Sequence, residues 1–293
     1  MEEAPPFEFL NVSALLETSA PRQRVPWFWF FAGGVMVAVI VGALSSGEGA
    51  AAAPMQGVAW LLLTAVFIAM PLVLRTVVRQ VRAEQRVVEG VSELVQLRQW
   101  PQAGMLLQQV LSRPARTIQL RTQALIYLAA VLARYNRCED AIAVHTYLLE
   151  NGLVDRGGAY GLKLGRAVAM LRDDHLFDAD RAISDLRRSG PADSAGLALV
   201  EIYRDVKTGH PDDAIRIYEQ KLPALRDQLG HRLADAHALA ARAYDLLGRG
   251  AEAAAAFRQA TLLAPLAELC RRYAELNTLV ERYQPAPAPA ELQ

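Results

Sequence analysis

The chain has 293 residues, with 31 lysines and arginines against 31 aspartates and glutamates, a net charge of zero and a hydrophobic content of 53%. This balance excludes a nucleic-acid-binding protein that depends on bulk positive charge, and it excludes an acidic-tail protein. The charges are unevenly spread, because residues 25–74 contain a single charged residue, Glu48. The composition therefore averages an apolar block and a remainder of ordinary polarity.

Residues 1–24 precede the apolar block and contain the stretch FEFLNVSALLETS, from Phe7 to Ser19. This stretch is too short to span a bilayer. It fits either an interfacial helix or a helix that packs on the following helical domain, and the sequence leaves both interpretations open.

The apolar block predicts a transmembrane helical hairpin over residues 25–75. Its two uncharged runs, about 26–45 and 56–74, have the length that a hydrocarbon core of roughly 30 Å requires. Two alternatives remain. A pair of buried core helices would seldom run so long without a charge. A signal peptide in place of the first span disagrees with the long acidic segment that precedes it.

Basic residues on both sides of the hairpin predict its orientation. The positive-inside rule places both termini in the cytoplasm and the loop with Glu48 outside. The sequence thus predicts a protein of the bacterial inner (cytoplasmic) membrane with two spans, in contact with the lipid bilayer. The flanking arginines that indicate this are Arg22, Arg24, Arg75, Arg79, Arg82 and Arg86.

Residues 76–283 predict a helical repeat domain. They are rich in alanine, leucine and arginine, and no stretch alternates with the two-residue period of a strand. Between Asp235 and Pro265, six residues are spaced by 4, 5, 4, 3 and 5: Tyr244, Gly248, Ala253, Phe257, Ala260 and Pro265. These positions resemble the tetratricopeptide repeat (TPR), a helix–turn–helix unit of about 34 residues, although the usual Trp and Leu-Gly at its start are replaced.

The resemblance implies an all-α fold, in which a TPR-like α-solenoid of about five hairpins follows the transmembrane hairpin. Asn136, Gly209 and Gly248 take the turn positions of the clearer units. The second helices would pack through Ala103, Ala141, Ala182, Ala214 and Ala253. After Pro265, a terminal capping helix is predicted, with Leu266, Leu269, Cys270, Tyr273, Leu276 and Val280 on one face. Residues 284–293, rich in proline and alanine, predict a disordered tail.

The repeat domain contains no motif of catalytic chemistry. It lacks a phosphate-binding glycine loop, a dinucleotide fingerprint and a nucleophile elbow. Cys138 and Cys270 are not spaced for metal binding or redox work, and the five histidines fall in different units, with His145 at an aromatic packing position. The sequence therefore predicts no enzyme, no metal and no cofactor.

The TPR resemblance implies that the first helix of each hairpin lines a groove that holds a peptide or a partner helix. The predicted groove residues are mostly basic and include one aromatic residue, so the groove suits an acidic extended segment of a protein partner. We predict a membrane-anchored, non-catalytic scaffold or adaptor. The alternative is an accessory or assembly subunit of a larger membrane complex, in transport, secretion or respiratory machinery, and self-association is also left open. The groove candidates are Arg134, Arg172, Tyr203, Lys207, Arg242 and Asp245.

Overall fold

A computed structural model of the chain describes residues 10–20, 33–34, 36, 75–76, 78–115, 117–191 and 193–283. Within these ranges the regular structure is entirely helical and contains no strand, which confirms the all-α part of the predicted fold class. The described residues divide into two compact units, and the division falls between Ala124 and Leu125.

The helices are short and most are joined by turns of a few residues. In chain order they are α1 (Val12–Thr18), α2 (residues 78–96), α3 (Trp100–Leu111), α4 (Ile118–Arg134), α5 (Cys138–Glu150), α6 (Arg156–Arg172), α7 (Leu176–Ser189), α8 (Ala195–Thr208), α9 (Pro211–Leu229), α10 (Leu233–Leu246), α11 (Gly250–Leu263), α12 (Leu266–Arg272) and α13 (Asn277–Tyr283). Two 3-10 turns, Gly230–Arg232 and Ala274–Leu276, precede α10 and α13.

Five inter-helix turns share one backbone geometry, and they define five consecutive hairpins from α2/α3 to α10/α11. In each turn a residue with φ between 58° and 76° lies two positions before the second helix begins. The next residue donates its backbone N–H to the carbonyl five residues back, at 2.8–3.0 Å, as in the helix-ending Schellman motif. The left-handed residues are Arg98, Asn136, Asp174, Gly209 and Gly248.

A fully buried alanine occupies the fourth position of the second helix in every one of these hairpins. With no side chain beyond Cβ, it lets the first helix approach closely. The structure changes one predicted member of this set: the third turn starts α7 at Leu176, so Ala179 is fully buried whereas Ala182 is only partly buried. The buried alanines are Ala103, Ala141, Ala179, Ala214 and Ala253.

The helices from α5 onward form a continuous stack. From α5 to α11 each helix packs against the next, and the first helices α6, α8 and α10 also pack against one another. One cluster of buried side chains extends through these hairpins from Ala167 to Leu279. This arrangement is compatible with an α-solenoid, in which each repeat buries its apolar face against its neighbours.

Helix α1 packs within the unit that contains α2 and α3. The Thr18 hydroxyl lies 3.2 Å from the carbonyl oxygen of Leu111, to which it donates. Arg121 donates to the Leu16 carbonyl at 2.6 Å and to the Ser19 hydroxyl at 3.0 Å. Of the two interpretations of this stretch, the structure favours packing on the helical domain.

The predicted localisation, a two-span inner-membrane protein with both termini in the cytoplasm, is corrected. Among the residues described, no helix is both long and apolar enough to cross a bilayer. The two longest, residues 78–96 and Pro211–Leu229, contain six and seven charged residues. The predicted spans and the tail 284–293 lie outside the described residues, apart from Gly33, Gly34 and Met36. Of the flanking arginines, Arg75, Arg79, Arg82 and Arg86 are exposed helical residues, and Arg22 and Arg24 are not described.

The region after Pro265 differs from the single helix that its apolar periodicity predicts. Helix α12 ends at Arg272, and Tyr273 has an extended backbone, with φ −134° and ψ 96°. The 3-10 turn and α13 follow at once. We call residues 266–283 the C-terminal segment.

Candidate functional site

The C-terminal segment lies against the first helices of four consecutive hairpins, α4, α6, α8 and α10. Each of these helices contributes at least one side chain that contacts it. We call the surface formed by these side chains the first-helix face, and it consists of Arg134, Arg172, Tyr203, Lys207, Asp235 and Asp245.

The last residues of α4 and α6 bind the beginning of the segment. The Arg134 guanidinium lies 3.7 Å from a carboxylate oxygen of Glu268. Arg172 donates to the Ala133 carbonyl at 2.8 Å and approaches the Arg271 carbonyl at 3.5 Å. Arg172 therefore connects two neighbouring hairpins and also contacts the backbone of the segment.

Two tyrosines form the centre of the contact. The rings of Tyr203 and Tyr273 meet edge to face, with centroids 5.0 Å apart and an interplanar angle of 82°. Both side chains are buried, with 2% and 3% of their surface exposed. Burial raises the pKa of both phenols, and the nearby carboxylate of Glu275 raises the pKa of Tyr203 further. Such a pair contributes about 0.5–1.5 kcal/mol beyond the area that it buries.

Lys207 lies beside this tyrosine pair and binds a carboxylate of the segment. Its ammonium is 3.3 Å from Glu275 and 6.0 Å from the centroid of the Tyr203 ring, and it also pairs with Asp174 of the preceding hairpin. The Tyr203 hydroxyl lies 3.5 Å from the same Glu275 oxygen. Glu275 is thus held by a cation and a phenol from one turn of α8.

Asp235 and Arg272 form the most buried ion pair of the face. One guanidinium nitrogen of Arg272 lies 2.7 and 2.9 Å from the two carboxylate oxygens of Asp235, whose exposure is 0%. A second cation, Arg232, is 3.5 Å away, and 42% of its side chain is exposed. Burial raises the pKa of Asp235, and the charge of Arg272 opposes this rise. The buried carboxylate therefore depends on a cation that the segment supplies.

Asp245 accepts hydrogen bonds from two side chains at the end of the segment and from Arg242 of its own helix, α10. Arg282 donates to it at 2.5 Å, Tyr283 at 3.0 Å and Arg242 at 2.9 Å. The Tyr283 ring also packs on Phe257 of α11, with centroids 6.4 Å apart. The final turn of the segment consequently lies against the last hairpin.

The structure brings the six predicted groove residues onto one surface. Five of them contact the C-terminal segment, and Arg242 reaches it through Asp245. The surface differs from the predicted basic groove because Asp235 adds a second carboxylate beside Asp245. The segment matches this mixture, since its arginines meet the aspartates and its glutamates meet Arg134 and Lys207.

Sequence reasoning missed Asp235 and the groups of the segment that meet the face, Arg272, Tyr273 and Glu275. An aspartate in the first turn of α10 is typical of ordinary helix starts, where it complements the helix dipole. The only available signal was the density of charge around Tyr273, in CRRYAE. That density also fits the solvent-exposed side of an amphipathic helix.

Outside the first-helix face, the side chains of His145, His237 and Cys138 are buried between packed helices. Burial lowers the pKa of His145 to about 4, and its ring sits against the backbone of Gly165 on α6. The Tyr218 hydroxyl and a ring nitrogen of His237 are 2.7 Å apart in a buried contact. Burial raises the pKa of the Cys138 thiol. These environments are those of packing residues.

No protein-family model, no curated protein and no solved structure matches this chain.

Proposed function

We propose that this protein is a non-catalytic scaffold or adaptor, built on TPR-like repeats, that binds a segment of a protein partner along the first-helix face. The observation that carries the proposal is the C-terminal segment itself. A stretch of polypeptide from outside the hairpins lies along four consecutive first helices, which contact both its side chains and its backbone. The same surface has the chemistry that a foreign polypeptide would require.

The residue types of the face favour protein recognition. Arginine and tyrosine are enriched among the residues that dominate binding energy, particularly where they are enclosed and desolvated. Tyr203 is enclosed in this way, and Arg134 has a side chain only 14% exposed. Lys207 and Asp235 add one charge of each sign, so the face selects a segment of mixed charge.

The repeat geometry supports the same proposal. The first helices α6, α8 and α10 belong to hairpins with the same turn geometry and the same buried alanine position, and they pack against one another in succession. Stacked helical hairpins bind extended partners through surfaces that run across several repeats. The TPR resemblance of residues 235–265 gives the same expectation for this chain.

Affinity capture from an extract of the source cells tests the proposal. The baits are the full-length chain, a first-helix-face variant with Arg134→Glu and Lys207→Glu, and a control with Arg181→Glu and Arg258→Glu. The control reverses the same number of charges at exposed positions of the second helices α7 and α11. Circular dichroism establishes that all three are folded.

We expect the control to capture the same proteins in the same amounts as the wild-type chain, and the face variant to capture at least tenfold less of them. The reason is that only the face variant reverses charges on the proposed binding surface. Equal capture by both variants would show that partners bind elsewhere, and the proposal would be abandoned.

A further inference from the structure

We infer that the C-terminal segment is a displaceable occupant of the first-helix face, and that the partner which displaces it presents an arginine, an aromatic ring and a carboxylate in the order of Arg272, Tyr273 and Glu275. This inference rests on the proposed function and specifies the chemistry of the partner. The segment then limits binding to partners that compete with it.

The segment is poorly stabilised by its own local structure. Its two α-helices have seven residues each and are separated by the extended Tyr273 and a three-residue 3-10 turn. Isolated helices shorter than about 12–15 residues are marginal in water. The segment is therefore held by its contacts with the hairpins, and its release would be a local unfolding event rather than the movement of a rigid element.

The chain connection permits such a release. Helix α11 ends at Leu263, and only Ala264 and Pro265 separate it from α12. Ala264 and Pro265 have extended backbones. Loss of the segment's contacts would leave the hairpin α10/α11 with its own turn and its buried Ala253 intact.

Three neighbouring residues of the segment supply the most specific contacts. Arg272 pairs with the buried Asp235, Tyr273 packs on Tyr203, and Glu275 binds Lys207. An empty face would leave Asp235 without its closest cation and would expose the Tyr203 ring. The face consequently has a free-energy reason to be occupied, either by this segment or by another polypeptide with the same three groups.

Tethering gives the segment a competitive advantage over a free partner. A tethered ligand has an effective concentration of about the millimolar range when its linker is short. A partner must therefore bind tightly or be locally concentrated. A weakened segment should allow a free peptide of the same sequence to bind more strongly.

The test uses a fluorescein-labelled synthetic peptide of residues 264–283 and fluorescence anisotropy. The peptide is titrated with the intact wild-type chain and with a full-length variant that carries Arg272→Ala and Tyr273→Ala. This variant weakens the occupant but leaves every residue of the face unchanged. A full-length variant with Arg258→Ala on α11 and a peptide with Tyr273→Ala serve as controls.

We expect the double variant to bind the peptide at least tenfold more tightly than the wild type or the Arg258→Ala chain, and the altered peptide to bind at least tenfold more weakly. Equal peptide affinities for the wild type and the double variant, or no binding to a folded double variant, would overturn the inference. Circular dichroism reports whether the double variant is folded.

Hydrogen–deuterium exchange of the wild-type chain tests the inference without any variant. Amides of residues 266–283 should exchange at least tenfold faster than those of α8 and α10, because they open locally. Equal protection of the segment and these helices would show that it is a fixed part of the fold. In that case the charge-reversal capture could still succeed, so failure of displacement and failure of the proposed function are distinguishable.

Discussion

The buried ion pair between Asp235 and Arg272 provides the sharpest test of the C-terminal contact. Arg272→Ala removes the cation that lies 2.7 and 2.9 Å from a carboxylate with no exposed surface. Breaking a buried ion pair from one side costs about 3–5 kcal/mol, because the remaining charge stays buried and uncompensated. Arg232 remains 3.5 Å from the carboxylate. We therefore expect a loss at the lower end, about 3 kcal/mol of the free energy of unfolding.

The pH dependence of this loss has a definite sign. Burial raises the pKa of Asp235, so its carboxyl gains a proton in the folded state before it does so in the unfolded state. At a pH below its folded-state pKa the Asp235 carboxyl is neutral, so removal of the Arg272 cation lowers the free energy of unfolding by less. The loss caused by Arg272→Ala should therefore be larger at pH 7 than near pH 4.

Urea unfolding of the intact chain, followed by circular dichroism, measures these free energies. The double variant with Asp235→Asn and Arg272→Ala should recover at least about 1–2 kcal/mol relative to the sum of the single variants, because the two residues form one pair. As a control, Arg216→Ala removes an exposed partner of Asp213 and should cost less than about 1 kcal/mol. A loss below about 0.5 kcal/mol for Arg272→Ala, or full additivity, would refute the buried-pair reasoning.

Three further predictions concern the hairpins. His145→Gln should remove an acid-induced loss of stability. Because burial lowers the pKa of His145 to about 4, its protonation destabilises the fold progressively as the pH falls below 6.5, by up to about 3 kcal/mol. Urea unfolding at pH 7 and near pH 4 measures the difference between the variant and the wild type. Gly248→Ala should cost about 1 kcal/mol, since φ is 72° there, and unchanged thermal unfolding would contradict the turn geometry. Ala179→Leu should cost about 1–3 kcal/mol by overpacking, whereas Ala182→Leu should cost clearly less; the reverse order in urea unfolding would contradict the observed register of α7.

The sequence predicted the hairpins best where a residue type reports its backbone conformation. Gly209, Gly248 and Asn136 all tolerate positive φ, and all three occupy the left-handed position of a turn. Arg98 and Asp174 occupy the same position in two other turns, but arginine gives no such signal and aspartate is common at helix ends. The register of α7 was consequently misplaced by one helical turn, from Ala179 to Ala182.

The C-terminal segment could not be predicted because its conformation depends on distant residues. Its apolar positions repeat with the period of a continuous helix. The helix is interrupted where Tyr273 packs on Tyr203 and Arg272 reaches Asp235, which lie 70 and 37 residues earlier in the sequence. Local propensity contains no information about such long-range contacts, so the occupied face emerged only from the fold.

The membrane prediction depended on the apolar composition of residues 25–74, and the described helices have a different pattern. Those helices are amphipathic, with buried alanines and leucines on one side and charged residues on the other. Amphipathic helices of this kind bury one face against a neighbouring helix.

Photo-crosslinking from the first-helix face in living source cells tests the central claim most directly. A benzoylphenylalanine residue replaces Lys207 in one full-length variant and Arg258, exposed on a second helix, in another. We predict that position 207 forms a crosslink to a partner protein as well as one within the chain, and that position 258 does not capture that partner. A partner crosslinked only from position 258, or crosslinks from position 207 that are exclusively intramolecular, would contradict the assignment of the first-helix face as the protein-binding surface.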